Sequence, residues 1–155
     1  MLKIAIITLS DRAFRGEYAD RSGPKIREIL QDGIEAVISN TIIPDDAESL
    51  FRALGENLNA DYIITTGGTG ISPRDITADI SRKFCDFEIP GISEMLRMES
   101  LKETRNAVFS RGFSGIKNNT FVINFPGSVK AVTLCTRLIL PLLTHGVKMR
   151  RGEGH

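Results

Sequence analysis

A chain of 155 residues, 41% hydrophobic and 25% charged, has the size and composition of one globular domain with one core. That excludes a disordered chain and a disulfide scaffold. Its 20 basic and 19 acidic residues leave a formal charge of +1, and 6% aromatics without tryptophan give no stacking platform, so no nucleic-acid partner is expected.

The run Ile4-Ala5-Ile6-Ile7 reads as a strand buried on both faces, ending at Thr8-Leu9-Ser10-Asp11. A polar loop over 12–21 follows. Ser22-Gly23-Pro24 then opens a helix, with Ser22 as N-cap, Ile26, Ile29 and Leu30 at helical spacing, and Gly33 at its end. Residues 34–43 read as the second strand, closing at Pro44-Asp45-Asp46, and Asp46 caps a helix with Leu50, Phe51, Leu54 and Leu58 on one face. Residues 62–65 form the third strand and run into Thr66-Gly67-Gly68-Thr69-Gly70. A short helix after Arg74-Asp75 carries Ile76, Ile80 and Phe84, and another spans 92–102. Residues 120–124 form the fourth strand. After Phe125-Pro126-Gly127-Ser128 a long apolar helix runs to Thr144. Lys148, Arg150 and Arg151 read as a solvated basic tail.

Alternating strands and helices predict one α/β domain over 1–155, doubly wound, with a mostly parallel sheet and helices on both faces. No apolar run reaches the ~18 residues of a membrane span. Cys85 and Cys135 form no CxxC pair and read as buried small hydrophobes, and the N-terminal apolar run reads as a strand, not a secretory leader. A reducing cytoplasm is the expected location. His145 and His155 have no partners at metal spacing, so no zinc site is expected.

In such folds ligands bind outside the carboxyl ends of the strands. Ser10-Asp11, Asp45, residues 67–75 and residues 126–130 all fall there. The glycines of Thr66-Gly67-Gly68-Thr69-Gly70 let main-chain amides approach an anion, and Thr66 and Thr69 add hydroxyl donors. No Gly-Lys-Ser/Thr pair makes this a Walker loop. Asp75 reads as either a helix cap or a functional acid. With Asp45 at a neighbouring strand end, the pair suits Mg²⁺, which takes one or two carboxylates plus substrate phosphates. Asp45 and Asp46 compete for that role, with Asp46 assigned to the helix cap and Asp45 to the metal. In Pro126-Gly127-Ser128-Val129-Lys130, Ser128 caps a helix or binds an anion, and Lys130 is a phosphate contact or a solvated charge.

Taken in order, Thr8-Leu9-Ser10-Asp11-Arg12, Asp20-Arg21-Ser22-Gly23-Pro24, Pro44-Asp45-Asp46, Thr66-Gly67-Gly68-Thr69-Gly70, Pro73-Arg74-Asp75-Ile76-Thr77, Ile89-Pro90-Gly91, Ser110-Arg111 and Pro126-Gly127-Ser128 resemble the MogA/MoaB family of molybdenum-cofactor biosynthesis. The resemblance covers nearly the whole chain. It implies a MogA-like fold, a homotrimer, and ATP-dependent transfer of AMP to the terminal phosphate of molybdopterin with release of pyrophosphate. It also implies Mg²⁺ held by the acids matching Asp45 and Asp75. The glycine loop matches the family's phosphate region, and Ser10, Asp11, Asp20, Ser22, Ser110 and Arg111 match positions lining its pocket. Molybdopterin synthase and the molybdenum-insertion protein are the protein partners it suggests. Val129, Ala78-Asp79 and Phe125 depart from the family's usual residues, which bears on the shape of the pocket. Two other readings carry different chemistry: a molybdopterin carrier without catalysis, and a hydrolase of nucleotide pyrophosphates.

Overall fold

The computed structural model describes residues 1–154; His155, read above as no metal ligand, lies outside them. Strands β1 (Leu2–Leu9), β2 (Ala36–Ile43), β3 (Tyr62–Thr66), β4 (Phe87–Glu88), β5 (Ser114–Lys117) and β6 (Thr120–Phe125) form one sheet in the order β2-β1-β3-β6-β5-β4. The first four strands of that order are parallel; β5 and β4 continue it antiparallel. Helices α1 (Asp11–Phe14), α2 (Ser22–Gly33), α3 (Ala47–Glu56), α4 (Thr77–Phe84), α5 (Pro90–Leu101), α6 (Val129–Ile139) and α7 (Leu143–Arg150) connect and cover it.

Both faces of the sheet are apolar because both are covered, which is why the central strands read as unbroken hydrophobic runs. Ile4, Ile6, Ile64 and Ile123 pack with Ile26 and Leu30 of α2, Leu96 of α5 and Val132 and Ile139 of α6. Ala5, Ile7, Ile63 and Val122, one residue out of phase, pack with Leu50 and Leu54 of α3 and Phe84 of α4. The chain winds from β1 outwards to β2, then crosses back to β3 on the other side of β1. The strand order therefore reverses between β1 and β3, which opens a crevice at their carboxyl ends.

Several local expectations are corrected. Ser22 is not the cap of α2. That position falls to Arg21, and the Asp20 carboxylate accepts from the amides of Ser22 and Gly23 at 3.1 and 3.2 Å. The loop after β1 begins with the short helix α1, capped by Ser10. The second strand starts at Ala36, and α5 starts at Pro90, whose fixed φ suits a first helical turn. The long C-terminal helix breaks over Leu140–Leu142, where Pro141 cannot continue the bonding, and resumes as α7. Lys148 and Arg151 are exposed as expected, but Lys148 and Arg150 end that helix and Arg150 donates to Asn118 O. Asp46 caps α3 as expected, accepting from Ser49 N at 2.7 Å.

Candidate active site

The carboxyl ends of β2, β1, β3 and β6 lie side by side and bring four segments to one rim. At the β2 and β1 ends, Asp45 N donates to Asp11 Oδ1 at 2.9 Å and Asp11 N to Asp45 Oδ2 at 3.2 Å. Each acid thus orients the other through its main chain. Arg74 swings over from the β3 loop and donates to Asp11 Oδ2. Burial pushes the Asp45 carboxyl above the usual aspartate range. The amide of Asp11 opposes that shift, and the charges of Asp11 and Asp75 add to it. Asp75 does not cap α4. Its Oδ2 accepts from Ser72 N at 2.9 Å and lies 2.8 Å from where a Cβ on Gly70 would stand. Gly70 is therefore what lets this acid close on the loop.

The loop after β3 has the backbone its glycines predict. Gly67 has φ +100° and Gly68 φ +68°, conformations that cost an L side chain ~1–2 kcal/mol. Gly67 N donates to Phe125 O, and Thr77, at the start of α4, holds both glycines through their carbonyls. Among the described residues the amides of Gly68, Thr69 and Gly70 have no acceptor. Successive unspent amides at a turn form a cradle for an anion. The Thr66 hydroxyl is spent within the fold, on Pro126 O at 2.7 Å.

At the β6 end, Ser128 accepts from Ala131 N at 3.1 Å and caps α6, and Lys130 stands exposed on the first turn. Gly127 O accepts from the Ser22 hydroxyl at 2.7 Å, so Ser22 ties α2 to this turn. Asp20 is likewise spent on the amides of α2 and on the Thr8 hydroxyl. Beyond β6 opens a cavity of about 280 Å³, lined by Thr69, Gly70, Ser110, Pro126 and Ser128 among others. Ser100 and Asn106 add polar walls, and Leu96 and Phe109 apolar ones. Along the rim the order is acids, glycine loop, cavity.

Of the residues singled out from sequence, Ser10, Asp11, Asp45, residues 66–70 and Asp75 gather around the β1/β3 crevice. Ser110, Pro126 and Ser128 border the cavity. Arg111 crosses to the glycine loop, donating from Nε to Gly70 O at 3.1 Å. Sequence reasoning missed Arg97, whose Nη1 holds Ser110 O at 3.0 Å, and Asn124, buried under the loop. Asn124 had a signal: a lone amide within the largely apolar strand Thr120–Phe125. Arg97 had none, because a helical arginine reads as solvated until its partner is known. Cys85 and Cys135 have thiols that burial pushes up to about 12, so neither is a nucleophile at neutral pH. Among the described residues no three His, Cys, Asp or Glu side chains gather where they could together hold a metal ion, and no helix is long and apolar enough to cross a membrane.

A family model described as a probable molybdopterin binding domain matches residues 5–145. The chain is 33% identical over 157 residues to a molybdopterin adenylyltransferase of Helicobacter pylori, covering 98% of this chain and 89% of that one. It is 36% identical over 153 residues to the molybdenum cofactor synthesis protein cinnamon of Drosophila melanogaster, covering 96% of this chain and 25% of that protein, so it spans a quarter of that relative. The crystal structure of the tungsten cofactor synthesizing protein MoaB from Pyrococcus furiosus superposes with a TM-score of 0.88 at 36% identity, over 97% of this chain and 98% of that chain.

Proposed function

This chain belongs to the molybdopterin-binding domain family of molybdenum cofactor biosynthesis, and from that premise we propose that it is a molybdopterin adenylyltransferase. It transfers AMP from ATP to the terminal phosphate of molybdopterin. The observation that carries this reading is an anion cradle of unspent amides directly beside paired acids. A carrier for molybdopterin alone has no use for the acids.

The donor set fits Mg²⁺. Asp45 and Asp75 are hard oxygen ligands on an open rim, and the ion needs only one or two carboxylates when phosphates and water complete its shell. Bound there, Mg²⁺ would offset triphosphate charge. The amides of Gly68, Thr69 and Gly70 hold phosphate oxygens, and Asp11 fixes the main chain of Asp45. The cavity beyond β6 takes the flat, polar body of the pterin, with Ser110 and Asn106 in reach of its edge. An oxygen of the molybdopterin phosphate attacks the α-phosphorus; the bond to the β-phosphate oxygen breaks and pyrophosphate leaves. That nucleophile is already ionised at neutral pH, so no protein base is needed, and catalysis rests on positioning and charge. A homotrimer working in the cytoplasm completes the reading.

The test is pyrophosphate release from Mg²⁺-ATP and molybdopterin, with mass spectrometry of the pterin product. Release that needs both substrates and disappears in Asp75→Ala and Asp45→Ala supports the assignment. Tight molybdopterin binding without release leaves a carrier, and release from ATP alone leaves a hydrolase.

A further inference from the structure

Arg111 precedes β5, yet its contacts lie on the glycine loop and α4. Its main-chain amide donates to Thr69 O at 2.8 Å. Its guanidinium then spans three further points: Nε to Gly70 O at 3.1 Å, Nη2 to Asp75 O at 2.9 Å, and Nη1 and Nη2 to the two oxygens of Asp79 at 3.0 and 3.1 Å. These bonds occupy four of the five donors a guanidinium owns. Arginine grips a phosphate with two parallel N–H bonds, and only one N–H is left over here.

The segment it holds needs holding. Gly67 and Gly68 leave the loop conformationally permissive, and residues 71–74 are exposed. One end is tied by Thr77 to the carbonyls of Gly67 and Gly68. The other end, from Thr69 to Asp75, is tied by Arg111.

We propose that Arg111 and Asp79 are a positioning pair for the phosphate loop: together they fix Gly70 and the main chain of Asp75 relative to α4, and neither touches substrate. The inference rests on the loop being the phosphate site proposed above. It also has a consequence of opposite sign to simple electrostatics. Were Arg111 a substrate ligand, Asp79 would compete with the substrate's phosphates, and Asp79→Asn would tighten ATP binding. For a positioning pair, Asp79→Asn damages the reaction as Arg111→Lys does.

The experiment uses the full chain as wild type, Arg111→Lys, Asp79→Asn and the double variant. It measures kcat and KM for ATP at saturating molybdopterin, and amide hydrogen exchange without substrates. Each single change is expected to lower kcat by about tenfold, the scale of loss when a reacting group is misplaced. KM for ATP should rise at the same time in both single variants, because the loop amides that hold the triphosphate are loosened as well. The double variant should be no worse than the poorer single, as for two members of one unit. Exchange should quicken at the bonded amides of Ser72, Asp75, Thr77 and Arg111 in both single variants and stay unchanged in β1 and β3. Tighter ATP binding with unchanged kcat in Asp79→Asn, or a rise in KM alone in Arg111→Lys, overturns the proposal and makes Arg111 a substrate contact. Exchange separates this inference from the activity it rests on. If the wild type transfers no AMP, that activity falls, while faster loop exchange in both variants still upholds the tether and unchanged exchange refutes it.

Discussion

Replacing Asn124 by alanine tests how the rim is supported. The carboxamide donates from Nδ2 to the hydroxyls of Thr65 and Ser81, each at 3.0 Å, and accepts from Phe113 N at 3.1 Å. Thr65 is its neighbour in register on β3, Ser81 belongs to α4 and Phe113 leads into β5, so one side chain joins three elements to β6. Thr65 and Ser81 are fully buried and Phe113 is 2% exposed, so water cannot replace what is lost. Stranding the Phe113 amide costs about 1–3 kcal/mol, and each of the two bonds to a hydroxyl is worth about 1 kcal/mol, which together make about 3–5 kcal/mol. Such a loss is a large share of the ~5–15 kcal/mol that holds a domain folded. Urea unfolding reads it as a lower midpoint at constant slope. Ser81→Ala alone should cost less, and combined with Asn124→Ala it should fall short of additivity by at least about 0.5 kcal/mol. A loss below about 1 kcal/mol, or additive effects, would refute the network.

Gly67→Ala places a Cβ 2.6 Å from Leu9 O at φ +100°, so strain and a displaced end of β1 should cost about 2–3 kcal/mol. Thermal unfolding measures this, and an unchanged midpoint would contradict the close approach. Asp46→Ala removes the cap of α3 and should cost about 1 kcal/mol while adenylyl transfer per folded molecule stays normal. Lost transfer would move the metal role from Asp45 to Asp46. Burial raises the Asp45 pKa, so the folded chain holds that proton more firmly than the unfolded one. Stability therefore falls as pH rises from the ordinary carboxylate range through the raised value, and is flat above it. Asp45→Asn escapes that cost: it should be inactive, more stable than wild type at about pH 7, and level with it at about pH 4 by urea unfolding. A stability gap that ignores pH would show that ionised Asp45 carries no burial cost.

The parallel strands were legible because burial on both faces leaves a signal that needs no tertiary knowledge: Ile4-Ala5-Ile6-Ile7 and Tyr62-Ile63-Ile64-Thr65 admit few other environments. The antiparallel edge was not. Phe87–Glu88 is too short to show a period, and Ser114–Lys117 holds a glycine and a lysine in four residues. What makes β5 a strand is its pairing with β6 through a turn at Asn118, φ +54°, and the grip of Asn124 on Phe113. The first is a hairpin contact and the second a side-chain bond, and the four residues of β5 fix neither by themselves. Capping failed at Ser22 for a related reason. Ser22 and Asp20 are both good cap residues, and only the fold shows that the Ser22 hydroxyl is taken by Gly127 O. Asp46 was legible as the cap of α3 because a cap sits immediately before its helix, while from sequence Asp45 and Asp46 competed for the metal.

The electrostatics of the rim favour a ligand that carries both signs. The charges of Asp11 and Asp75 both oppose ionisation of Asp45, and Arg74, which favours it, is an exposed side chain. Beside them the amides of Gly68, Thr69 and Gly70 have no acceptor among the described residues. A free cation would suit the acids and disregard the cradle; a free phosphate would suit the cradle and be repelled by the acids. A metal–polyphosphate, the ligand of the proposed function, would satisfy both, with its cation at the carboxylates and its oxygens at the amides. The raised pKa of Asp45 has its cause in burial and in the charges of Asp11 and Asp75, and a cation bound there would relieve it. The positioning assigned to Arg111 follows the same logic. A cradle and an acid cluster cooperate only at a fixed separation, and the bonds from one guanidinium to Gly70 O and Asp75 O join the two.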